Sequence, residues 1–344
     1  LLGVGAEVLV TEANGHLGRC LVEDLIARGY RVRAGVPVGT DARKSEPLRL
    51  LGARVVNLDL TRPDMLEPAM EGIDGVFQSV HIPASRSKNT ARDVVTPTVE
   101  GALNVLAAAR NAEVERIVFT SSVAAVGKRE SGSTVPRLSE DEWNEHPVTP
   151  CGRAKTEAER RAWEFTRANG MKMVAINPGV ILGPGFQRHT PSTETFERIL
   201  RGQIPALPLL RAAYVDVRDV AELHRLAFES ENASGRYIAA SASASMRKVA
   251  ELIREIEPEL RLPCVSMPRW MARSLAALDH VASRFCCRRS RAAEDIVEEF
   301  GQAEVDCSSD KAERELGWCP RPLESTLADT LSWIRSRLLD NDRA

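Results

Sequence analysis

Short apolar runs rich in β-branched residues alternate with longer amphipathic stretches through the first half of the chain. The runs fall at residues 7–10, 31–36, 54–57, 75–79, 116–120 and 172–177, each of strand length. Between them the pattern predicts helices over 15–28, 42–51, 62–70, 89–111 and 152–169. Strands alternating with helices of this length mean βαβ units and a parallel sheet. Right-handed crossovers then force a doubly wound α/β sheet, with any ligand at the carboxyl ends of the strands.

After Asn177 the rhythm changes. Gly179, Gly183, Pro184, Gly185, Pro191, Pro205 and Pro208 break the region up to Leu210 into loops around one helix, 193–201. Residues 215–230 read as a short strand and a helix that returns to the main sheet. From Ser241 onward the pattern is mostly helical: 246–256, 269–284, 291–300, 309–316 and 323–339. The expected organisation is a doubly wound domain over 1–178, rejoined by 213–239. A smaller, mostly helical lobe comes from 179–212 and 240–344, beside the crevice where a substrate pocket belongs.

Composition narrows the partners. A chain of 344 residues, 43% apolar and 27% charged, can bury a sizeable core. Its net charge of −2 argues against nucleic acid and against an anionic membrane surface. No apolar run approaches the roughly 20 residues of a membrane span. The first strand begins by residue 7, so no signal peptide is expected within this sequence, while the missing initiator Met leaves a trimmed leader open. The seven cysteines, an odd number with no C-x-x-C pair, fit neither a disulfide framework nor a zinc site. A reducing cytoplasm is the expected compartment. Cys286 and Cys287, beside Arg288, Arg289 and Arg291, read as part of a basic helix face rather than as a reactive pair.

Chemistry enters at Thr11-Glu12-Ala13-Asn14-Gly15-His16-Leu17-Gly18, directly after the apolar run Val8-Leu9-Val10. Glycines in a strand–turn–helix connection let the backbone turn tightly and approach a pyrophosphate, whose charge is met by the helix N-terminus. The spacing resembles the T-G-x-x-G-x-x-G signature of short-chain dehydrogenases/reductases, with Glu12 at the first glycine position.

Further motifs extend the resemblance to the extended members of that family. They are Val118-Phe119-Thr120-Ser121-Ser122-Val123, Asp59-Leu60-Thr61, Val99-Glu100-Gly101-Ala102-Leu103-Asn104, Asn177-Pro178-Gly179, Tyr214-Val215-Asp216-Val217-Arg218-Asp219 and Glu315-Leu316-Gly317-Trp318. More narrowly the chain is similar to dihydroflavonol reductases, cinnamoyl-CoA reductases and bacterial aldehyde reductases. The resemblance implies an NAD(P)-binding Rossmann-type domain over 1–178 and a substrate-binding lobe after it.

The resemblance also implies a mechanism. A Tyr-x-x-x-Lys pair on the helix after the fifth strand works with a Ser at that strand's end. The Ser hydrogen-bonds the substrate carbonyl, the Tyr donates a proton as hydride arrives, and the Lys lowers the Tyr pKa and holds the ribose. Residues four apart share one helix face, so the spacing serves the chemistry. Ser122 matches the Ser and Lys155 the Lys, but the Tyr position holds Cys151. A thiol titrates near 8.5 against about 10 for a phenol. Beside an ammonium it moves towards thiolate, which cannot donate a proton. Its sulfur also falls short of where a phenolic oxygen reaches. The three tyrosines, Tyr30, Tyr214 and Tyr237, lie elsewhere in the sequence, and His146 is a loop residue that reads as solvated.

By the same resemblance, Thr11, Asn14, Gly15, His16, Leu17, Gly18, Asp59, Leu60, Lys155 and Pro178 are the cofactor-binding candidates. Asp59 is the residue expected against the adenine. Relatives that use NADP often carry an Arg just past the second strand, where this chain has Pro37. No acid ends that strand to clamp an NAD ribose either. Arg33, Arg43 and Lys44 are the cations within reach of a 2′-phosphate; with Arg33 and Lys44 as binding candidates, NADP is slightly preferred over NAD. Glu12 is expected to weaken binding. A side chain in a left-handed turn costs about 1–2 kcal/mol, and a carboxylate about 4 Å from a phosphate adds roughly 1–4 kcal/mol of repulsion.

Other candidates carry less. His81 and His189 lack partners at metal-ligand spacing, so no metal is expected. Trp143, in an acidic loop, and Leu207, Leu209 and Leu210 read as packing. Helices 89–111 and 152–169 commonly pair two subunits in this fold, so a homodimer is compatible. Three functions compete. The first is an NAD(P)-dependent oxidoreductase reducing an aldehyde or ketone, or oxidising the matching alcohol. The second is a catalytically inactive relative acting as a binding or regulatory protein. The third is chemistry redirected through a Cys151 thiolate.

Overall fold

The structure is a computed structural model, described for residues 3, 5–79, 91–130, 137–187, 190–203, 207–208, 211–260, 262, 266–267 and 303–341. Seven parallel strands make the main sheet among these residues: β1 (Glu7–Val10), β2 (Arg31–Pro37), β3 (Arg54–Leu58), β4 (Gly75–Ser79), β5 (Arg116–Thr120), β7 (Met173–Pro178) and β11 (Gly235–Ala239). Their spatial order is β11-β7-β5-β4-β1-β2-β3, with every neighbouring pair parallel. This is the expected Rossmann-type doubly wound sheet. The strand order reverses between β1 and β4, and open sheets of this kind take their ligand in the crevice outside the carboxyl ends of such strands.

Period-two alternation explains why the sheet is covered on both faces. Val8 and Val10 enter one core and Leu9 the other, and Val118 is likewise set against Ile117 and Phe119. Helices α1 (His16–Ala27) and α8 (Val217–Glu229) cover the first face. Helices α3 (Pro63–Met70), α4 (Thr96–Asn111) and α6 (Pro150–Ala168) cover the second, with α2 (Ala42–Leu50) packed beside β3. A π-helical turn, Ala91–Val95, precedes α4 where a continuous helix from 89 was expected. Helix α6 starts at Pro150 rather than 152, because Thr149 caps it by accepting from the Gly152 N–H at 3.0 Å. That places Cys151 inside the first turn.

The second half adds a small sheet to the expected, mostly helical lobe. A second sheet assembles from β6 (Arg129–Glu130), β8 (Val180–Leu182), β10 (Arg211–Asp216), β12 (Ala242–Ser245) and β14 (Ala303–Glu304). β10 therefore belongs to this smaller sheet, while α8 and β11 return to the main one. A third core gathers here around α7 (Pro191–Leu200), α9 (Met246–Ile256) and the C-terminal helix, Leu323–Asn341. A short helix, Asp310–Leu316, ends at Gly317, whose φ of 64° takes up the left-handed cap position. The expected helices at 269–284 and 291–300, and Cys286 and Cys287, lie outside the described residues. No helix among the described residues is long and apolar enough to cross a membrane.

Candidate active site

The crevice begins at the end of β1. Thr11 is fully buried; its hydroxyl donates to the Ser79 carbonyl at 2.7 Å and accepts from the Ser79 N–H at 2.8 Å. That reciprocal pair ties β1 to β4 at the point where the sheet order reverses. The turn then closes on itself, with the Gly15 N–H donating to the Glu12 carbonyl and the Ala13 N–H to Gly35, both at 2.9 Å. Gly18 is required: a Cβ there would stand 2.2 Å from the Glu12 carbonyl oxygen. No side chain caps α1, so the first N–H groups of the helix remain for an anion.

Glu12 sits in this turn with φ +52°, one of two non-glycine residues with positive φ among those described. The Glu12 side chain does not swing out into solvent. It is half-buried, and loss of hydration pushes its carboxyl up to about 7. His16 follows. Its Nε2 pairs with the Pro184 carbonyl at 2.9 Å, its Nδ1 is buried without a partner, and its ring stands edge-on to Phe186. Burial, above all, lowers the His16 pKa. Leu17 points into the core of the first sheet face, so what it can offer a ligand is backbone; Asn14 and Gly15 lie at the surface of the turn.

The strand ends supply the rest. Asp59 is half-buried after β3, its carboxylate accepting from the Thr61 N–H and hydroxyl at 3.0 and 2.7 Å. Leu60 packs against Gly101 and receives the Asn104 amide on its carbonyl. Pro178 ends β7, buried and paired with Ala239. Lys44 lies half-buried in the first turn of α2. Arg33 is a correction: its guanidinium pairs with Glu7 at 2.5 Å and donates to the Ala69 carbonyl at 3.1 Å. Those partners lie at the amino end of the sheet, because α3 runs antiparallel to the strands, so Arg33 is withdrawn as a cofactor ligand. Arg43 is exposed and paired with Asp41.

Lys155 reaches back from α6 to donate to the Thr120 carbonyl at 3.2 Å, at the end of β5 and two residues before Ser122. Burial drives the Lys155 pKa down, while Cys151 one turn before it and Glu159 one turn after it push it up. Ser122 caps the short helix α5 (Val123–Val126), its Oγ accepting from the Ala124 N–H at 3.1 Å. The hydroxyl proton is thereby left for another acceptor. Cys151 is partly buried in the first turn of α6.

All three tyrosyl hydroxyls are committed elsewhere: Tyr30 to Glu229, Tyr214 to the Met246 sulfur and Tyr237 to Glu315. His146 is exposed. Trp143 packs under the Arg236 guanidinium, 4.0 Å from its ring centre, and Leu207 is buried in the third core. His81, His189, Leu209 and Leu210 lie outside the described residues.

A buried cluster behind the crevice was missed from sequence. Glu159 is fully buried, and one carboxylate collects Arg236 at 2.7 Å, Ser121 at 2.5 Å, Asn177 at 2.9 Å and Trp163 at 3.3 Å. Asn177 also donates to the Ser122 carbonyl at 3.1 Å. Arg236 carries the restraint on to the carbonyls of Glu140 and Glu142 in the acidic loop. The signal available in sequence was Glu159 at four residues from Lys155, on the same helix face.

The sequence model of the NAD dependent epimerase/dehydratase family matches residues 8–240. The chain belongs to that family. It is 34% identical to cinnamoyl-CoA reductase 2 of Arabidopsis thaliana over 75% of this chain and 80% of the relative. It is 30% identical to dihydroflavonol 4-reductase of Gerbera hybrida over 75% of this chain and 74% of that protein. The solved structure of yeast methylglyoxal/isovaleraldehyde reductase Gre2, complexed with NADPH, superimposes with a TM-score of 0.77. It shares 24% identity, covers 98% of this chain and 100% of the other, and supports the fold. Family and relatives together assign the chain to nicotinamide-dependent reductases and epimerases.

Proposed function

We propose that the protein reduces an aldehyde or ketone, or oxidises the matching alcohol, with NADPH or NADH. The observation that carries this reading is the Lys155 ammonium bound to the Thr120 carbonyl beside Ser122, at the carboxyl edge of the sheet. The uncapped start of α1, the Gly15–Gly18 cradle and Lys155 fit a dinucleotide; Glu12 is the one residue that disagrees with it. When bound, the nicotinamide supplies or accepts the hydride.

The chain's own residues do the rest. Ser122, its Oγ already accepting from Ala124, donates a hydrogen bond to the carbonyl oxygen and polarises it, keeping its own proton. Lys155, held at the Thr120 carbonyl, is the residue that binds a ribose hydroxyl. Cys151 or a water brings the proton that a tyrosine brings in relatives. With Arg33 facing away, Lys44 is the cation left to favour a 2′-phosphate, and NADP keeps a slight preference. The test is titration with NADPH and NADH, followed by reduced-nicotinamide fluorescence, then turnover with a panel of aromatic and aliphatic aldehydes. Failure to bind either dinucleotide would sink the reading.

A second reading has its own observations. A thiol stands where a phenol belongs, and a half-buried carboxyl stands in the phosphate turn. Both favour a family member that binds a ligand without turning it over. Dinucleotide binding without turnover on any carbonyl of the panel supports it.

A further inference from the structure

We propose that the turn at the end of β1 takes a dinucleotide's pyrophosphate only together with a proton, with Glu12 bound as the neutral acid. This rests on reading the crevice as a nicotinamide dinucleotide site.

Geometry leaves Glu12 no way out of the turn. Its carbonyl is held by the Gly15 N–H, and the Gly18 Cα packs so close to that oxygen that even a methyl group there would clash. The backbone is fixed in the left-handed region, within the turn that joins β1 to α1, where this fold meets a phosphate. The residue is half-buried there, in the turn that leads into the uncapped start of α1. A bound pyrophosphate sets a second anion against it. A carboxylate is repelled; a carboxylic acid is neutral and can donate its O–H to a phosphate oxygen.

Among the described residues no cation, Arg19 included, pairs with the Glu12 carboxyl, and burial is what acts on it. On α1 the titratable groups are His16, whose Nε2 is spent on Pro184, then Arg19 and Cys20, whose thiol burial keeps protonated. The ends of β2 and β4 that pack on the turn present Gly35, Phe77 and Ser79, none titratable. The loop of Gly183 and Pro184 carries none either, and Asp216 acts on His16 rather than on Glu12. Burial alone sets the carboxyl at about 7, within reach of ordinary solution pH. The proton balance is simple: the free carboxylate, the dinucleotide and one proton from the buffer give the complex of the carboxylic acid.

The experiment is calorimetric titration of the full chain with NADH at pH 6, 7 and 8, in buffers of different ionisation enthalpy. NADH is chosen because its pyrophosphate keeps its charge over this range and it lacks the 2′-phosphate, which titrates near 6. If only the neutral acid is competent, the apparent Kd rises about tenfold from pH 6 to pH 8. Close to one proton is taken up per NADH bound at pH 8. Glu12→Gln and Glu12→Gly should bind with no pH slope, the first close to the wild-type affinity at pH 6. A wild-type Kd that stays flat overturns the proposal and leaves the cofactor reading standing. A slope that survives in Glu12→Gln overturns it too, because His16 would then be the titrating group. No binding at pH 6 by wild type and both variants overturns the cofactor reading itself, and this proposal with it.

Discussion

Glu159 and Arg236 form a buried ion pair at 2.7 Å, joining the middle of α6 to the second residue of β11. Through Ser121, Asn177 and the acidic loop, the pair fixes the floor beneath Ser122 and Lys155. Removing one partner leaves a buried charge uncompensated. Glu159→Gln should therefore cost about 3–5 kcal/mol of stability. Replacing both, Glu159→Met with Arg236→Met, should recover most of that loss. Urea unfolding of the three proteins checks it; a single variant as stable as wild type would contradict the role given to the pair.

For Glu12→Gly two effects separate. The left-handed backbone is already adopted in the free protein, so relieving it acts on folding, worth about 1–2 kcal/mol. Charge repulsion acts on binding, and at roughly 1–4 kcal/mol its removal should tighten the dinucleotide about tenfold at pH 8, where the carboxyl is ionised, and less at pH 7. A melting temperature and a fluorescence Kd report the two separately. Equal Kd values at pH 8 would show that the carboxyl never meets the phosphates.

Cys151→Tyr should raise carbonyl reduction by about 10²–10⁴, the usual worth of a positioned general acid. Ser122 and Lys155 stand at the matching positions, so no other change is needed for partial recovery. Initial rates with the aldehyde panel compare wild type, Cys151→Tyr, and Cys151→Tyr with Glu12→Gly. Wild-type turnover that falls on Cys151→Tyr would make the thiol a working group instead. Activity confined to the double variant would place the first failure at cofactor binding.

Acid should weaken the fold through His224. Its ring is fully buried between the Thr120 hydroxyl at 2.8 Å and the Val220 carbonyl at 2.7 Å, and burial pushes its pKa down to about 4. The unfolded chain binds that proton near 6.5. His224 thus contributes stability that is complete above about 6.5 and is lost as pH falls towards 4, at up to about 1.4 kcal/mol per pH unit. Urea midpoints at pH 7 and pH 5 should differ accordingly. His224→Gln should have a shallower dependence; an unchanged one would assign the effect to other groups.

How much of this was legible in the sequence follows from how each signal is carried. The main sheet was readable because its strands are apolar runs set between amphipathic helices, and six strands fell within a residue of their observed ends. The smaller sheet was not. Its strands are two to six residues long, and two of them read Ala-Ser-Ala-Ser and Arg-Ala-Ala-Tyr-Val-Asp, with too little alternation to separate from loop. Arg33 was misplaced although the phase was available: Val32, Ala34 and Val36 share one face, which puts Arg33 on the other, under α3. Glu159 was hidden by its company, since α6 reads as charged throughout and only packing shows which charge is inside.

The hydrogen bond from His16 to Pro184 gives the last helix an unexpected reach. The neighbouring Phe186 carbonyl is gripped by Trp333 and Arg337, and Arg337 also holds Gln187. The tail of the chain therefore props the first turn from across the molecule. A fragment cut at residue 240, where the family match stops, would keep every glycine of that turn and lose the strut behind it. The nucleotide half is better regarded as the front wall of a single vault than as a module to be lifted out.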